Sequence, residues 1–227
     1  MISQQRVGAI IVAAGSSRRM GGIDKVFAPL GGKPVLARVI NAFESCDSID
    51  QIVVVVSRKN LKRCRQLITE EGWSKPIEVC AGERRRQDSV AAGLSRFNCH
   101  WVIIHDGARP LVTKGLIERG LRAAKETGAA VAAVPVTDTI KVANDDRIVH
   151  QTPPRQNLWA VQTPQVFCYG IIAKAYQQAK GEATDDASLV EQLGYKVKLY
   201  MGSYDNIKIT TPDDLLIAEA WQQKYGK

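Results

Sequence analysis

A basic loop near the start of the chain has residue types that suit phosphate chemistry. The stretch 13-AAGSSRRMGGIDKVF-27 carries Arg19 and, six residues later, Lys25. Arginine offers a planar fork for phosphate oxygens and lysine a mobile point charge. Cations beside an α-phosphate stabilise the negative charge that an attacking nucleophile builds on its oxygens. The loop therefore predicts a turn that wraps a triphosphate; the alternative is that both cations are solvated loop charges.

Two other nucleotide-binding loops do not fit this stretch. The pattern G-x-x-x-x-G-K-[ST] fails because Gly15 is followed by Met20 and Gly21 without the lysine and hydroxyl residue that complete it. The dinucleotide pattern G-x-G-x-x-G is also missing, and no acid ends the run 51-QIVVVVS-57, where a ribose-binding carboxylate is expected. These absences disfavour a hydride-transfer enzyme.

Apolar runs rich in valine and isoleucine alternate with amphipathic segments, which is typical of βαβ units on a mostly parallel sheet. The predicted strands are 7–13, 51–57, 76–81, 100–106, 129–136 and 196–202. The predicted helices are 33–45, 60–70, 88–97, 114–128, 169–180, 185–194 and 212–225, with Asp88 as the cap of the third. The pattern predicts an α/β fold in which a mostly parallel, twisted sheet carries helices on both faces.

The alternation of strands and helices is interrupted after residue 136. The stretch 137-TDTIKVANDDRIVHQTPPR-155 alternates in polarity, turns at 144–146 and carries Pro153 and Pro154, so it predicts a projecting hairpin arm. Unpaired edges of such an arm commonly pair with another chain. No repeat or linker interrupts the 227 residues, so we expect one domain, 1–227, with an arm at about 137–157.

The charge of the chain favours anionic partners. A net charge of +8 and a pI near 9.3 suit nucleic acid, a membrane surface or phosphorylated small molecules. Aromatic residues are only 6%, and the arginines cluster in short loops at 18–19, 84–86 and 109, which favours local phosphate pockets over a nucleic-acid face. A basic nucleic-acid-binding module remains the non-enzyme alternative.

Other residue counts argue against metal centres and secretion. The five cysteines are odd in number and far apart, and the three histidines are not paired on a helix, so neither disulfides nor a zinc site is expected. His105 ends an apolar strand and is either a site residue or a satisfied structural histidine. The longest apolar runs are shorter than the roughly 20 residues of a membrane span, and no signal segment begins the chain, so we expect a cytoplasmic protein without a membrane.

Seven motifs together carry a family resemblance. They occur in order over almost the whole chain: 13-AAGSSRRMGGIDK-25, 82-GERRRQDSV-90, 104-IHDGARP-110, 137-TDTIK-141, 162-QTPQVF-167, 184-TDDAS-188 and 204-YDNIKITTPDDL-215. The set resembles the 2-C-methyl-D-erythritol 4-phosphate cytidylyltransferases of the non-mevalonate isoprenoid pathway. The resemblance implies a single domain with a Rossmann-like nucleotidyltransferase fold. It also implies transfer of CMP from CTP to methylerythritol phosphate, with release of pyrophosphate.

The resemblance assigns the nucleotide site. Arg19 and Lys25 become the catalytic cations at the α-phosphate, although the family usually has proline and glutamine where this chain has Asp24 and Val26. The implied CTP-binding residues are Ala13, Ala14, Gly15, Gly82, Arg86, Ser89 and Asp106. The neighbouring Arg84 and Arg85 are interpreted as a solvated charge run. A divalent cation, normally Mg²⁺, is implied, held mainly by the CTP phosphates with Asp106 as a candidate ligand.

The resemblance also assigns the acceptor site. The nucleophile is a phosphate oxygen that is already anionic near neutral pH, since its second pKa is about 6, so no general base is needed. Arg155 and Lys208 are implied to position the two substrates. The implied methylerythritol phosphate-binding residues are Asp106, Arg109, Asp138, Thr139, Arg155, Thr163, Asp205 and Lys208. Because Arg155 lies on the arm, which crosses to a second subunit in this family, a homodimer is implied.

The nearest rival is a cytidylyltransferase for another polyol phosphate, such as ribitol 5-phosphate. Those relatives tend to begin the loop with A-G-G and to carry Tyr-Asn-Ile-Lys near the end of the chain. Ala14 and Asp205 favour methylerythritol phosphate as the acceptor. Sugar-1-phosphate nucleotidyltransferases are more distant, because they are usually longer and lack the arm.

Overall fold

The computed structural model describes residues 5–179 and 181–225. Its strands are β1 (Val7–Ala13), β2 (Pro29–Leu30), β3 (Lys33–Pro34), β4 (Gln51–Val56), β5 (Ile77–Ala81), β6 (Trp101–Asp106), β7 (Ala129–Pro135), β8 (Val142–Ala143), β9 (Val149–Gln151), β10 (Trp159–Cys168) and β11 (Lys198–Met201). Its helices are α1 (Val35–Glu44), α2 (Leu61–Glu71), α3 (Arg86–Leu94), α4 (Lys114–Thr127), α5 (Tyr169–Gln178), α6 (Asp186–Gln192) and α7 (Pro212–Tyr225). The predicted helices and strands are confirmed to within a few residues; Lys180, the last residue of one predicted helix, lies outside the described residues.

The predicted cap of the third helix is wrong. Helix α3 begins at Arg86, and its N-cap is Arg85, whose backbone is extended and whose side chain makes no capping hydrogen bond. Asp88 lies inside the first turn, where its two carboxylate oxygens accept hydrogen bonds of 2.7 Å each from the guanidinium of Arg85. The Asp88 carboxylate therefore pairs with the side chain that precedes the helix and does not cap a backbone N–H.

One seven-stranded sheet organises the chain, in the order β11-β7-β10-β6-β1-β4-β5. β1 pairs in parallel with both β4 and β6, and β5 and β11 also pair in parallel with their neighbours. Only β10 runs against its neighbours, β6 and β7. The chain builds one half of the sheet outward from β1 through β4 and β5 and then returns to the other side of β1 with β6. The crevice between the carboxyl ends of β1 and β6 is thus a topological switch point, where open α/β sheets bind ligands.

Both faces of the sheet are buried, which explains the continuous apolar runs in the central strands. On one face, Ile11 belongs to an apolar cluster that includes residues of α1, α2 and α4. On the other face, Ile10 belongs to a second cluster that includes residues of α3, α5 and α6. Successive side chains of a strand point to opposite faces, so neighbouring isoleucines enter different layers of the core. The three-layer packing holds the ends of β1 and β6 in fixed positions.

The predicted arm is a short two-stranded ribbon formed by β8 and β9. It leaves the sheet at the end of β7 and returns into β10, and a hydrogen bond from Val136 N–H to the carbonyl of Leu158 closes its base. No residue from 135 to 161 is buried. Ile148 and Val149 are 65% and 52% exposed, so the arm presents apolar side chains to solvent in the single chain.

Within residues 5–179 and 181–225, no helix combines the length and the apolar character that crossing a bilayer would require.

Candidate active site

A cavity of ≈ 210 Å³ lies at the carboxyl ends of β1 and β6, where the switch point places it. It is lined by Val12, Ala13, Ala14, Gly15, Lys25, Val26, Glu83, Arg84, Arg85, Arg86, Ser89, Asp106, Ala108 and Lys208. Of the residues predicted to bind CTP, only Gly82 is missing from this lining. Predicted residues from three distant segments, the first loop, the 82–90 turn and the end of β6, therefore share one cavity.

The basic loop is anchored by a buried methionine. Met20 is fully buried in a small apolar cluster with Leu30, Val35, Ile209 and Ala218. It ends a single 3-10 turn that follows Ser17 in the left-handed region and precedes Gly21, also left-handed. The loop is thus tied down at its centre, and its flanking residues are free to face the cavity.

Lys25 lines the cavity. Burial lowers the pKa of its ammonium, and the nearby positive charges of Lys208 and Arg19 lower it further, while Asp106 opposes them. Arg19 is exposed and does not line the cavity, but its charge is close enough to act on Lys25. Lys25 and Lys208 thus bring two positive charges to the cavity and Arg19 adds a third nearby, which favours an anionic ligand.

Two contacts hold the backbone around Lys25. Its N–H lies 3.3 Å from Ser17 Oγ, which accepts the hydrogen bond. The preceding Asp24 accepts a 2.6 Å hydrogen bond from the amide of Asn60, a residue with 8% exposure. Asp24 thereby attaches the loop to the start of α2. Although the family usually has proline at this position, Asp24 also holds the backbone next to Lys25 in place.

Asp106 is the hub of the site. It is 7% exposed, and its Oδ2 lies 2.9 Å from Lys208 Nζ and 3.6 Å from Arg109 Nε, while its Oδ1 lies 3.5 Å from Arg86 Nε. Burial alone would raise the pKa of this carboxyl, but Lys208, Arg86 and Arg109 together bring it well below its ordinary value. Asp106 is therefore ionised at neutral pH and orders three cations around it.

His105 and Thr163 hold the backbone of this hub. Nε2 of His105 lies 3.2 Å from the carbonyl of Arg109, which can only accept, so Nε2 carries the proton. Burial lowers the pKa of His105 to about 4, so the ring is neutral at pH 7 and Nδ1 accepts from the Thr163 hydroxyl at 3.0 Å. Thr163 Oγ1 in turn accepts from the N–H of Asp106 at 3.0 Å. Of the two interpretations of His105 left open by the sequence, the structure supports the satisfied structural histidine.

Arg109 and Lys208 meet Asp106 through a second anchored segment. Arg109 Nη1 donates to the carbonyl of Asn206 at 2.6 Å, and the fully buried amide of Asn206 donates to the carbonyl of Thr163 at 2.8 Å. These bonds attach the segment that carries Lys208 to β10. The sequence analysis named Asp205 and Lys208 in this segment and did not name Asn206, which is the buried residue that attaches it to β10.

The 82–90 turn forms the opposite wall. A side chain on Gly82 would place a Cβ 2.4 Å from that of Ala14 and 2.8 Å from Ser89 Oγ, so only glycine allows the turn to approach the first loop this closely. Ser89 Oγ accepts a 3.0 Å hydrogen bond from the N–H of Glu83 and fixes the turn. Arg84 and Arg85, interpreted from the sequence as a solvated run, border the cavity together with Glu83.

Several predicted acceptor-site residues lie outside this cavity within one chain. Asp138, Thr139 and Arg155 are on the exposed arm, and Arg155 Nη1 donates to the carbonyl of Thr137 at 2.6 Å. Asp205 is exposed and borders a separate cavity beside α7. Of the predicted acceptor residues, the single chain therefore brings Lys208 and Asp106 to the cavity, whereas Arg109 and Thr163 do not line it but contact Asp106.

The chain has an open α/β sheet, a cationic cavity at the switch point of that sheet, and a basic loop that borders the cavity after the first strand. These features place this chain among the nucleotidyltransferases. Within that class the chain belongs to the family of 2-C-methyl-D-erythritol 4-phosphate cytidylyltransferases, whose model matches residues 7–224.

Named relatives agree over the whole length. The chain is 53% identical over 225 residues to a 2-C-methyl-D-erythritol 4-phosphate cytidylyltransferase of Dehalococcoides mccartyi, covering 99% of both chains. It is 48% identical to one of Alkaliphilus oremlandii, covering 94% of each.

Solved structures give the same result. The crystal structure of 4-diphosphocytidyl-2C-methyl-D-erythritol synthase from Anaerococcus prevotii superposes with a TM-score of 0.87 at 30% identity, over 97% of this chain and 99% of that one. The cytidylyltransferase structure from Thermus thermophilus gives a TM-score of 0.75 at 32% identity, over 94% and 98%. The predicted family and fold class are thereby confirmed.

Proposed function

We propose that this cavity transfers CMP from CTP to 2-C-methyl-D-erythritol 4-phosphate, giving 4-diphosphocytidyl-2-C-methyl-D-erythritol and pyrophosphate for isoprenoid precursor synthesis. The observation that carries the proposal is the convergence of Lys25 and Lys208 on the ionised Asp106 at the switch point. Membership of the family supports the identity of the two substrates.

CTP enters between the two loops that line the cavity. The small residues Ala13, Ala14 and Gly15 allow the backbone to approach the nucleotide, and the turn from Gly82 to Ser89 closes the opposite side. Arg84 and Arg85 add positive charge at the rim. We expect backbone groups of these two loops to distinguish cytosine from other bases.

The α-phosphate is placed next to Lys25. When the acceptor oxygen attacks, charge accumulates on the equatorial oxygens, and a cation that is already in place stabilises the transition state more than the ground state. The lowered pKa of Lys25 reflects a partly desolvated ammonium, in which the interaction with phosphate is stronger than in water. Arg19 reinforces this charge from the solvent side of the loop.

The acceptor phosphate binds between Lys208 and Arg109. Both are held against Asp106, so their charges are oriented before the substrate arrives. The acceptor oxygen is anionic near neutral pH, and the role of the cavity is to align two mutually repelling anions rather than to remove a proton. Thr163 acts indirectly, because its hydroxyl oxygen accepts a hydrogen bond from the N–H of Asp106.

The acceptor site is completed by the arm of a second copy of the chain. Asp138, Thr139 and Arg155 are exposed on this arm, and the apolar Ile148, Val149, Trp159 and Val161 on and beside it are also exposed. Burying these apolar side chains in a homodimer would stabilise the assembly. Arg155 of one protomer then contributes to the cavity of its partner.

A divalent cation fits this site as part of the substrate complex. Among the described residues, no three His, Cys, Asp or Glu side chains come together where they could hold a metal ion. The cavity is lined by two carboxylates, Asp106 and Glu83, and Mg²⁺ typically binds through one or two carboxylates together with substrate phosphates. Bound there, Mg²⁺ would neutralise part of the triphosphate charge, and Asp106 is the residue that would hold it.

We also propose that the enzyme acts in the cytoplasm. All five cysteines, of which Cys46, Cys64 and Cys80 are buried, are free thiols, which suits a reducing compartment. Fractionation of cells that express the chain from its own promoter tests this location, and recovery in the extracellular fraction would contradict it.

A pyrophosphate-release assay tests the proposed reaction. CTP is compared with UTP, ATP and GTP, and methylerythritol phosphate with ribitol 5-phosphate, each in the presence of Mg²⁺ and after chelation. We expect turnover with CTP and methylerythritol phosphate only, and loss of turnover on chelation. Turnover with ribitol 5-phosphate alone would replace the acceptor. Tight, salt-sensitive oligonucleotide binding without turnover would favour the nucleic-acid alternative.

A further inference from the structure

Asp186 is a buried carboxylate close to the cavity but not part of its lining. It is the first residue of α6 and is 1% exposed. Its Oδ1 and Oδ2 accept hydrogen bonds from Nη1 and Nη2 of Arg86 at 2.9 and 2.7 Å. Its Oδ1 also accepts from the hydroxyl of Tyr176 at 2.6 Å. Three donors thus saturate a carboxylate that the proposed reaction does not use.

Arg86 connects this carboxylate to the cavity. Its two Nη atoms hold Asp186, and its Nε lies 3.5 Å from Oδ1 of Asp106 on the other edge of the guanidinium. A bidentate pair fixes the plane of the guanidinium as well as its position. Burial alone would lower the pKa of Arg86, but Asp186 raises it above its ordinary value, so the cation is firmly charged.

Hydrogen bonds hold the start of α6, which carries Asp186, in place. Asp185 caps α6 by accepting from the N–H of Ser188 at 3.0 Å, and its other oxygen accepts from the amide of Gln165 on β10 at 2.8 Å. Gln165 Oε1 also accepts from the N–H of Ala187 at 3.2 Å. The start of α6 is therefore attached to the central sheet.

We propose that Asp186, supported by Tyr176, is a positioning residue that orients Arg86 in the wall of the CTP site. The inference rests on the proposed function, in which this cavity binds CTP. Without the Asp186 carboxylate, the nearest remaining anion to Arg86 is Asp106. Arg86 then turns toward Asp106 and competes with Lys208 and Arg109 for that carboxylate. The part of the cavity wall that Arg86 forms is displaced as a result.

The test compares the dissociation constant for CTP, by calorimetry, and the steady-state constants of full-length variants that remain folded. Asp186→Asn should weaken CTP binding by about tenfold, the lower end of what is seen when a partner that orients a functional side chain is removed. Tyr176→Phe should weaken it less, because the bidentate pair with Arg86 remains. In an Arg86→Met background, Asp186→Asn should have no further effect on CTP binding, because the residue through which it acts is gone.

Thr113→Ala is the matched control, since it removes the side-chain cap of another helix, α4, at a residue that contacts neither Arg86 nor Asp186. It should lower the melting temperature and leave CTP binding within about twofold. Unchanged CTP binding in folded Asp186→Asn, an equal loss in Thr113→Ala, or additive losses with Arg86→Met would each overturn the inference. Failure of the wild-type chain to bind CTP would instead contradict the proposed function.

Discussion

Nζ of Lys208 lies 2.9 Å from Oδ2 of Asp106, in a segment attached to the sheet by the buried amide of Asn206. This ion pair joins the end of β6 to the loop before α7. It makes Asp106 a structural residue as well as a site residue, because three buried or half-buried cations depend on its charge. The proposed acceptor site is thus assembled around one carboxylate before any substrate is present.

Replacing Asp106 by asparagine should therefore lower stability in a pH-dependent way. The change leaves Lys208, Arg86 and Arg109 without their shared anion, and we expect a loss of about 3 kcal/mol in the free energy of unfolding at pH 7. The folded pKa of Asp106 is depressed, so its contribution is fully present above the unfolded value of about 3.9 and is lost as pH falls toward the folded value. Urea unfolding should show the same difference between wild type and variant at pH 7 and pH 5 and a smaller difference at pH 3.

Asp47→Asn provides the control for this series. Asp47 also pairs with a lysine, Lys114, at 2.6 Å, but its side chain is 90% exposed, so little change in stability is expected at any of the three pH values. A loss in Asp106→Asn that stays the same from pH 7 to pH 3 would show that packing, and not charge, is responsible.

Replacing Lys25 by methionine should slow the reaction more than it weakens CTP binding. A cation assigned to the transition state contributes on the order of 100-fold to kcat, by comparison with single oxyanion-stabilising groups. Arg19→Ala should act in the same direction. Lys33→Met is the control, because Lys33 is a half-exposed lysine paired with Glu71. An increase in the CTP dissociation constant with unchanged kcat would make Lys25 a binding residue only.

The pH profile of the wild type should carry the signature of Lys25. Its pKa is lowered by burial and by Lys208, so kcat/KM should be level above the second pKa of the acceptor phosphate, about 6, and fall as pH rises through the pKa of Lys25, at a pH below the ordinary value of 10.5. In Lys25→Arg the side chain stays cationic, so the alkaline decline should move to higher pH even if the maximum rate is lower. An unmoved alkaline decline would assign it to another group.

Much of the fold and half of the site were predictable from the sequence. Continuous apolar runs mark strands buried on both faces, so Asp106 could be placed at the end of β6 from the pattern alone. The antiparallel position of β10 was not predictable, because strand order depends on contacts between distant segments. For the same reason the pairing of Arg86 with Asp186 was missed. The only signal was the motif 184-TDDAS-188, which carries no information about its partner.

Single side chains show the same limit. His105 has a residue type that suits catalysis, and its sequence position at a strand end suggested two roles. Its bond to Thr163, a residue of β10, exists only after β10 has paired with β6. Asp24 is the converse case, since its departure from the family pattern is visible in the sequence while the compensating bond to Asn60 is not.

Gly82→Ala should damage the cavity wall. The added Cβ would lie 2.4 Å from that of Ala14, a distance that real contacts do not reach, so the 82–90 turn must move away from the first loop. We expect lower stability and weaker CTP binding, measured by thermal unfolding and calorimetry. Gly170→Ala is the matched control, because Gly170 lies in α5 with nothing near its position, and alanine there should be neutral or stabilising by about 0.5 kcal/mol. Wild-type affinity for CTP in Gly82→Ala would show that this turn is not part of the CTP site.

Mixing two inactive variants should restore activity if the arm completes the partner's site. Lys25→Ala disables a protomer's own cavity, whereas Arg155→Ala disables only the arm that it lends. In a mixed dimer, the Arg155→Ala protomer keeps Lys25 and receives an intact arm, so one of its two sites works. After random subunit exchange, about a quarter of all sites in the sample should be active.

The control mixture pairs Lys25→Ala with Arg19→Ala, two changes in the same loop. Every site in that mixture carries one defect in its own loop, so no recovery is expected. Exchange itself is followed with differently tagged subunits, and the assembly state by sedimentation. No residue from 135 to 161 is buried in one chain, so the arm that carries Arg155 is exposed. A monomer should have an incomplete acceptor site, because it lacks the Arg155 of a partner. Full activity of Arg155→Ala alone, or no recovery of activity in the mixture despite proven subunit exchange, would show that the arm takes no part in catalysis.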